Sequence, residues 1–327
     1  MSDSSIARDA LRAVFSGTGT RPEIVTRRQP LMGGTACVML VGGGGPALDR
    51  AFALADRCEQ LWSRFLPQSD ITRLNWGAGR AIDVDPLTIR LITAMQQAQD
   101  LTGGDYDPTL LPDLLAAGYR ASVLDPARVS TLPESAQAPG NARGILIDGN
   151  SVRLPVGTTL DAGGIGKGLT ADLVCEAALA GGAWGVMAEI GGDIVVAGQA
   201  PDDVAWRLGI QNPLPDLFVG VDAEHAAIVR LASGALVTSS QRKRRWVSDS
   251  GERHHLINPH THDSATSSIQ TVSVIAATGA RAEGFTKPGF LRDQTAYLAW
   301  LPTVGAAGLL IDDMGTLTSS ANWKNYL

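Results

Sequence analysis

Gly185-Val-Met-Ala-Glu-Ile-Gly-Gly-Asp-Ile-Val-Val-Ala197 is the stretch on which the fold turns. It reads as strand, bulge, strand, with Gly191-Gly192-Asp193 between two apolar, β-branched runs. Glycines inside such a pattern mark a bulge, a turn or the close approach of a ligand. Taken by itself, the segment reads as a structural turn.

The same punctuation recurs on either side. Residues 35–41 are apolar and β-branched and end in the glycines before Pro46, a strand followed by a turn. Residues 144–154 form a hairpin around Asp148-Gly149-Asn150. Short strands are expected at 205–211, 226–231, 235–238, 255–257 and 271–277, and a last hairpin near the end. Helices are expected at 46–65, 85–101, 168–179 and 294–300. The second has Asp85 as N-cap, Pro86 at its first position and Gly103-Gly104 at its end. Pro288 confines any helix near Glu283. Residues 120–142, rich in Pro, Ala and Ser, read as a surface excursion. Strands joined directly by turns pair antiparallel, so the fold class is α+β: largely antiparallel sheets with helices packed on one side.

The chain has 327 residues, about two domains by length alone. Residues 1–30 read as a flexible arm and 31–327 as one unit, because no linker or repeat divides them. With 44% hydrophobic and 18% charged residues it is not a disordered chain. Its 27 basic against 33 acidic residues give a net charge of −6, unlike the basic footprint of a nucleic-acid binder. Cys37, Cys58 and Cys175 form neither a CxxC pair nor a zinc spacing and read as buried small hydrophobes in a reducing compartment. The chain shows no secretory signal and no membrane span, so a cytoplasmic protein is expected.

Five segments can carry chemistry. Asp161-Ala-Gly-Gly-Ile-Gly-Lys167-Gly168 opens a helix, where free N–H groups suit a phosphate and Lys167 adds a point charge. It is not a Walker loop, because Gly168 stands where Ser or Thr is needed. Gly191-Gly192-Asp193 is the second. His254 to His262 hold four of the five histidines, and His255 is placed at a strand edge as a general base. Tyr106-Asp107-Pro108-Thr109 is a turn. Thr238-Ser-Ser-Gln-Arg-Lys-Arg-Arg245 is either a solvated basic face or a holder of a diphosphate.

Taken in order, these segments decide more. Leu31-Met-Gly-Gly-Thr35, Ser63-Arg-Phe65, Ser69-Asp-Ile71, Leu74-Asn75, Asp107-Pro-Thr109, Asp161-x-Gly-Gly-Ile-x-Lys-Gly168, Gly191-Gly-Asp193, Thr238-Ser-Ser and His255-x-Ile-x-Pro259 together resemble the ApbE family over about residues 31–320. The resemblance implies a T-fold-related architecture. It also implies flavin transfer: FAD is cleaved at its diphosphate, FMN is joined by a phosphoester to a Thr or Ser of an acceptor flavoprotein, and AMP leaves. By the same resemblance Met32, Asn75, Asp107, Pro108, Thr109, Asp161 and Lys167 line the FAD site, and His255 is the catalytic base. Mg²⁺ at the diphosphate is implied too, held by the Gly164 carbonyl and by Asp and Thr four residues apart.

The sequence departs from that last pattern. Glu283 replaces the Asp, Lys287 replaces the Thr, and Thr286 comes one residue early, rotated by about 100° on a helix. Lys287 can repel a metal, substitute for it, or pair with Glu283 at i, i+4. Asn258-Pro-His-Thr-His262 stands where the family has Asp-Pro-x-Thr-Gly. The rival readings are a FAD-binding or electron-transfer flavoprotein, and a FAD diphosphatase with water as acceptor.

Overall fold

Residues 22–201, 204–214, 224–248 and 251–327 are described by the structure, a computed structural model. Eight strands pair in the order in which the chain makes them: β1 (Ile24–Leu31), β2 (Gly34–Val41), β3 (Gly185–Ile190), β4 (Asp193–Gly198), β5 (Gly234–Ser240), β6 (Ile269–Ala276), β7 (Ala307–Asp312) and β8 (Leu317–Ser319). Every neighbouring pair is antiparallel, as the turn-joined strands predict.

The Gly191-Gly192 segment is a two-residue hairpin turn rather than a bulge. Both glycines have positive φ, 61° and 96°, and the register runs unbroken to the pair Ile190–Asp193. Such a turn matches the right-handed twist of the strands it joins. The β1–β2 turn repeats the geometry with Met32 at φ 49° and Gly33 at 72°.

The period of two along each strand assigns two faces. Val38 and Leu40, Val195, Ala235 and Val237, and Val272 and Val274 face a core shared with helices. Those helices are α1 (Gly44–Trp62), α3 (Gly166–Ala180) and α4 (Gly279–Thr286), with α2 (Pro86–Thr102) packed outside α1 and α4 and α5 (Gln294–Trp300) beyond α4. Val41, Val196, Leu236 and Ile275 face the other way, onto the hairpin Trp206–Gln211/His225–Leu231 and onto Trp323. Helices therefore cover one face, as expected, and a separate hairpin closes the other. None of the helices among the described residues is long and apolar enough to cross a membrane.

Helix α2 matches its sequence signals. Asp85 accepts from Leu87 N–H, Pro86 is in the first turn, and Gly103 ends the helix at φ 68°. Two expectations are corrected. The arm of residues 1–30 becomes strand from Ile24, paired along its whole length with β2; residues 1–21 lie outside the described residues. The sequence does not show this strand because most of its side chains are exposed or half-exposed on an edge of the sheet. No strand spans 255–257. Instead His255 lies at a bend after Gly251–His254 and before Ile257–Asn258. Pro288 does confine α4, as expected: the helix ends at Thr286 and Pro288 sits in the 3₁₀ turn Lys287–Phe290 that follows.

Helices α3 and α4 cap each other across a close crossing. Asp172 of α3 accepts from Gly279 and Ala280 N–H (2.6 and 3.0 Å), and Glu283 of α4 accepts from Gly168 N–H (2.9 Å). Burial pushes the Asp172 carboxyl up to about 6 in spite of those two bonds. The crossing needs glycine at both contacts, since a Cβ on Gly168 would run into the Gly279 carbonyl and the reverse holds as well. Gly168→Ala is expected to cost about 1–3 kcal/mol or more of stability by overpacking, read as a lower urea midpoint at unchanged m-value.

Candidate active site

The carboxyl-bearing end of that crossing opens into a cavity of about 400 Å³, a ligand-sized volume. Its walls come from Met32, from residues 59–66, 105–108 and 161–167, from the end of β5, and from the segment around His255. Met32 is held in its left-handed conformation by its N–H, which donates to Glu59 Oε1 (3.0 Å). Gly164 lies flat against Tyr106, where a Cβ would come within 2.7 Å of the ring.

At the floor sit two lysines and two carboxylates. Lys167 Nζ bonds Asp193 and, at 3.0 Å, Glu283 Oε1. The other oxygen of Glu283 is the one on Gly168 N–H. The helix start expected to bind phosphate is thus filled, at Gly168, by a carboxylate of this chain. Lys287 Nζ donates to the main-chain carbonyl of Glu283 (2.9 Å) and makes longer contacts to Thr286 Oγ1 (3.3 Å) and Ser239 Oγ (3.4 Å). Thr286 donates to the same carbonyl (2.7 Å) and accepts from Ser239 (2.7 Å). The i, i+4 relation of Lys287 to Glu283 therefore joins ammonium to main chain, while the side-chain carboxylate goes to Lys167.

The charges tune one another. Burial works against the Lys167 charge, but Asp193 and Glu283 outweigh it and hold Lys167 above its ordinary value. Burial also works against Glu283, yet Lys167 and Lys287 pull it below the usual carboxylate range. Asp193 goes the other way, pushed up to about 6 by burial despite Lys167. Lys287 is lowered to about 8, by burial first.

His255 lines the same cavity. Burial, followed by the charges of Arg244, Lys287 and Lys167, sets its imidazole well below the ordinary value. It is neutral at pH 7 and able to accept a proton. Its Nδ1, the Tyr106 hydroxyl and Trp62 Nε1 are buried with no hydrogen-bond partner among the described residues. Opposite, Arg64 stacks on Phe65 and Tyr119 (4.2 and 4.8 Å to the ring centroids) and reaches Asp161 at 3.6 Å. Tyr119 stacks on Trp246 (5.6 Å, 24°), whose Nε1 donates to Ala117 (2.6 Å). These contacts hold the basic segment against the wall. The segment divides: Lys243 and Arg244 face the cavity, while Arg245 pairs with Glu252 on its hairpin.

Of the residues expected at the FAD site, Met32, Asp107, Pro108, Asp161 and Lys167 line the cavity. Asn75 and Thr109 do not. Asn75 Nδ2 donates to the Leu160 carbonyl (2.9 Å), and its Oδ1 accepts from Leu160 N–H (2.7 Å). Thr109 donates to Asp107 Oδ1 (2.6 Å) and accepts from Gly140 N–H (2.8 Å). Both hold the loops that carry Asp161 and Asp107. The other histidines disperse: His254 Nε2 is on the Ala265 carbonyl, His260 on Asp105 and His262 on Asp113. Among the described residues no three His, Cys, Asp or Glu side chains form a metal-sized group.

The family model described as the ApbE family matches residues 19–309. The chain belongs to the ApbE family. Among curated ApbE relatives, the FAD:protein FMN transferase of Treponema pallidum (strain Nichols) is 28% identical over 274 residues, 76% of this chain and 74% of that protein. The one from Klebsiella pneumoniae (strain 342) is 24% identical over 253 residues, 71% of this chain and 67% of that protein. Among solved structures, the ApbE protein of Thermotoga maritima matches 93% of this chain and 99% of its own, with TM-score 0.80 and 22% identity. The flavin transferase ApbE of Vibrio cholerae matches 94% of this chain and 100% of its own, with TM-score 0.74 and 21% identity. At that identity the likeness is one of fold.

The ApbE pattern implies Mg²⁺, and the residues here do not fit it. Mg²⁺ takes oxygen ligands in a near-ideal octahedron. At the position of the expected hydroxyl stands Lys287, and an ammonium has three donors and no lone pair. Both Glu283 oxygens already bear donors, and Thr286 is turned onto its own helix.

Sequence reasoning placed Tyr106, Asp193 and Arg244 inside candidate segments without giving each a role, and met Arg64 only within the motif Ser63-Arg-Phe65. Arg64 carried a usable signal, a lone charge inside Leu61-Trp-Ser-Arg-Phe-Leu66, and Asp193 another, an acid beside two apolar strands. Tyr106 carried none beyond its neighbours. Asn75→Ala is expected to cost about 2–4 kcal/mol of stability, because it strands both the N–H and the carbonyl of buried Leu160. Urea unfolding checks this; an unchanged midpoint with weakened FAD binding would return Asn75 to the ligand site.

Proposed function

We propose that this chain is an FAD:protein FMN transferase. The hydroxyl oxygen of an acceptor Thr or Ser forms a bond to the phosphorus on the FMN side of the FAD diphosphate. The bridging P–O bond breaks, AMP leaves with its electron pair, and the hydroxyl proton passes to His255. One observation carries the reading: a neutral, partly unsatisfied imidazole stands on the same cavity wall as two ammonium groups. Phosphoryl transfer gains most from positioning and from neutralised charge, which these groups can provide. The names of the curated relatives support the same activity. No step is assigned to Mg²⁺. We also propose a cytoplasmic location, supported by three buried, unpaired cysteines.

Incubation with FAD and a small acceptor flavoprotein domain tests the proposal. It expects the acceptor to gain the mass of one FMN, with AMP released. Free FMN and AMP without labelling would make the enzyme a diphosphatase, and tightly held, unchanged FAD would make it a carrier; either overturns transfer. His255→Ala is expected to lower labelling by about 10²–10⁴-fold while FAD still binds. Since His255 is depressed well below 6.5, kcat/KM for FAD should hold level down to that pH and fall only in more acidic buffer. An acid limb centred at 6.5 or above would remove His255 as the base.

A further inference from the structure

We propose that Lys287, with Lys167 beside it, supplies the counter-charge of the FAD diphosphate in place of a divalent metal ion, so that this chain binds FAD and transfers FMN without one. The inference rests on the FAD reading above and adds to it the identity of the cation.

Three observations converge. Lys287 stands on the cavity wall, and among the described residues its Nζ bonds neutral oxygens: the Glu283 carbonyl and the Ser239 and Thr286 hydroxyls. It is thus a cation without a carboxylate in direct contact, while both nearby carboxylates are engaged by Lys167. Second, its contacts to the two hydroxyls are long, at 3.3 and 3.4 Å, and those hydroxyls already bond each other at 2.7 Å. A phosphate oxygen can take two of the ammonium's three N–H donors without stranding either hydroxyl. Third, Lys167 has two donors on Asp193 and Glu283 and one left, and it too lines the cavity. Two lysines and two carboxylates sum to zero before a ligand arrives. The cluster is thus neutral overall, with Lys287 the member whose ammonium no carboxylate touches, and Lys243 and Arg244, which also line the cavity, add positive charge for a diphosphate.

The decisive measurement uses the purified full chain stripped with EDTA. FAD is titrated by quenching of flavin fluorescence, and FMN transfer to the acceptor is followed by mass, each in excess EDTA and in Mg²⁺. FAD affinity is expected to agree within about threefold between the two buffers, less than the loss of one charged hydrogen bond, and transfer to persist in EDTA. Lys287→Met is expected to weaken FAD by about tenfold or more in both buffers, while riboflavin, which has no phosphate, binds as before. Lys287→Thr is expected to make FAD binding weaker in EDTA and to recover it with Mg²⁺. FAD binding or transfer by the unaltered chain that is lost in EDTA and restored by Mg²⁺ overturns the proposal, and so does wild-type FAD affinity in Lys287→Met. Should that variant fail to fold, the EDTA comparison decides alone. Metal-independent FAD binding without transfer sinks the transferase and leaves standing only the assignment of Lys287 as the counter-charge for bound FAD. Transfer that requires Mg²⁺ does the reverse, and no FAD binding in either buffer overturns both.

Discussion

Glu283 is buried, charged and bonded on every side, and the active end of the molecule is arranged around that fact. One carboxylate oxygen takes Lys167, the other the Gly168 N–H at the start of α3, and its carbonyl takes Lys287. A buried carboxylate is tolerated only when its charge is matched and its lone pairs are filled. Here both conditions are met by one helix crossing. The crossing in turn exists only because Gly168 and Gly279 let two helix starts touch, with Asp172 answering Glu283 from the other side. Helix packing and site electrostatics are thus one constraint. Removing either partner would leave an unpaired buried charge, typically a loss of about 3–5 kcal/mol.

The same cluster sets the state of the groups that would do chemistry. Burial and the positive charges of Arg244, Lys287 and Lys167 keep His255 neutral, which a proton acceptor needs and an anion binder does not. Lys167 stays positive because Asp193 and Glu283 sit beside it, Asp193 itself being pushed up to about 6 by burial, while burial lowers Lys287 to about 8. Opposed buried charges in one pocket therefore drive neighbouring groups apart in pKa, the usual way in which acid, base and electrostatic roles are separated.

How much of this was legible in the sequence follows from the range of each interaction. Helix α2 could be read from Asp85, Pro86 and Gly103, because caps and end-glycines act within one turn. The antiparallel sheet could be read from turns such as Gly191-Gly192, and the cavity from the glycine-rich segment before Lys167. Strand β1 could not, since its faces are too exposed to show an apolar alternation. Asn75 and Thr109 were assigned to the ligand because a polar residue in a motif looks the same whether its partner is a substrate or a loop. Only the fold shows Asn75 meeting Leu160, 85 residues away. His255 was placed on a strand by its apolar neighbours, yet tertiary contacts put it at a bend.

The lysine at residue 287 has a structural logic of its own. Lys287 is the residue at which α4 ends, with Pro288 stopping further helix. At that place a lysine can fold back onto a carbonyl of the last turn, and its charge is favoured by the negative end of the helix dipole. The ammonium is therefore held by its own helix before any ligand enters, through Glu283 and with Ser239 and Thr286 beside it. A metal ion in the same corner would need oxygen lone pairs that these groups now direct into bonds with one another. A lysine at the end of α4 thus places a positive charge in this corner of the cavity, held by the helix that carries it.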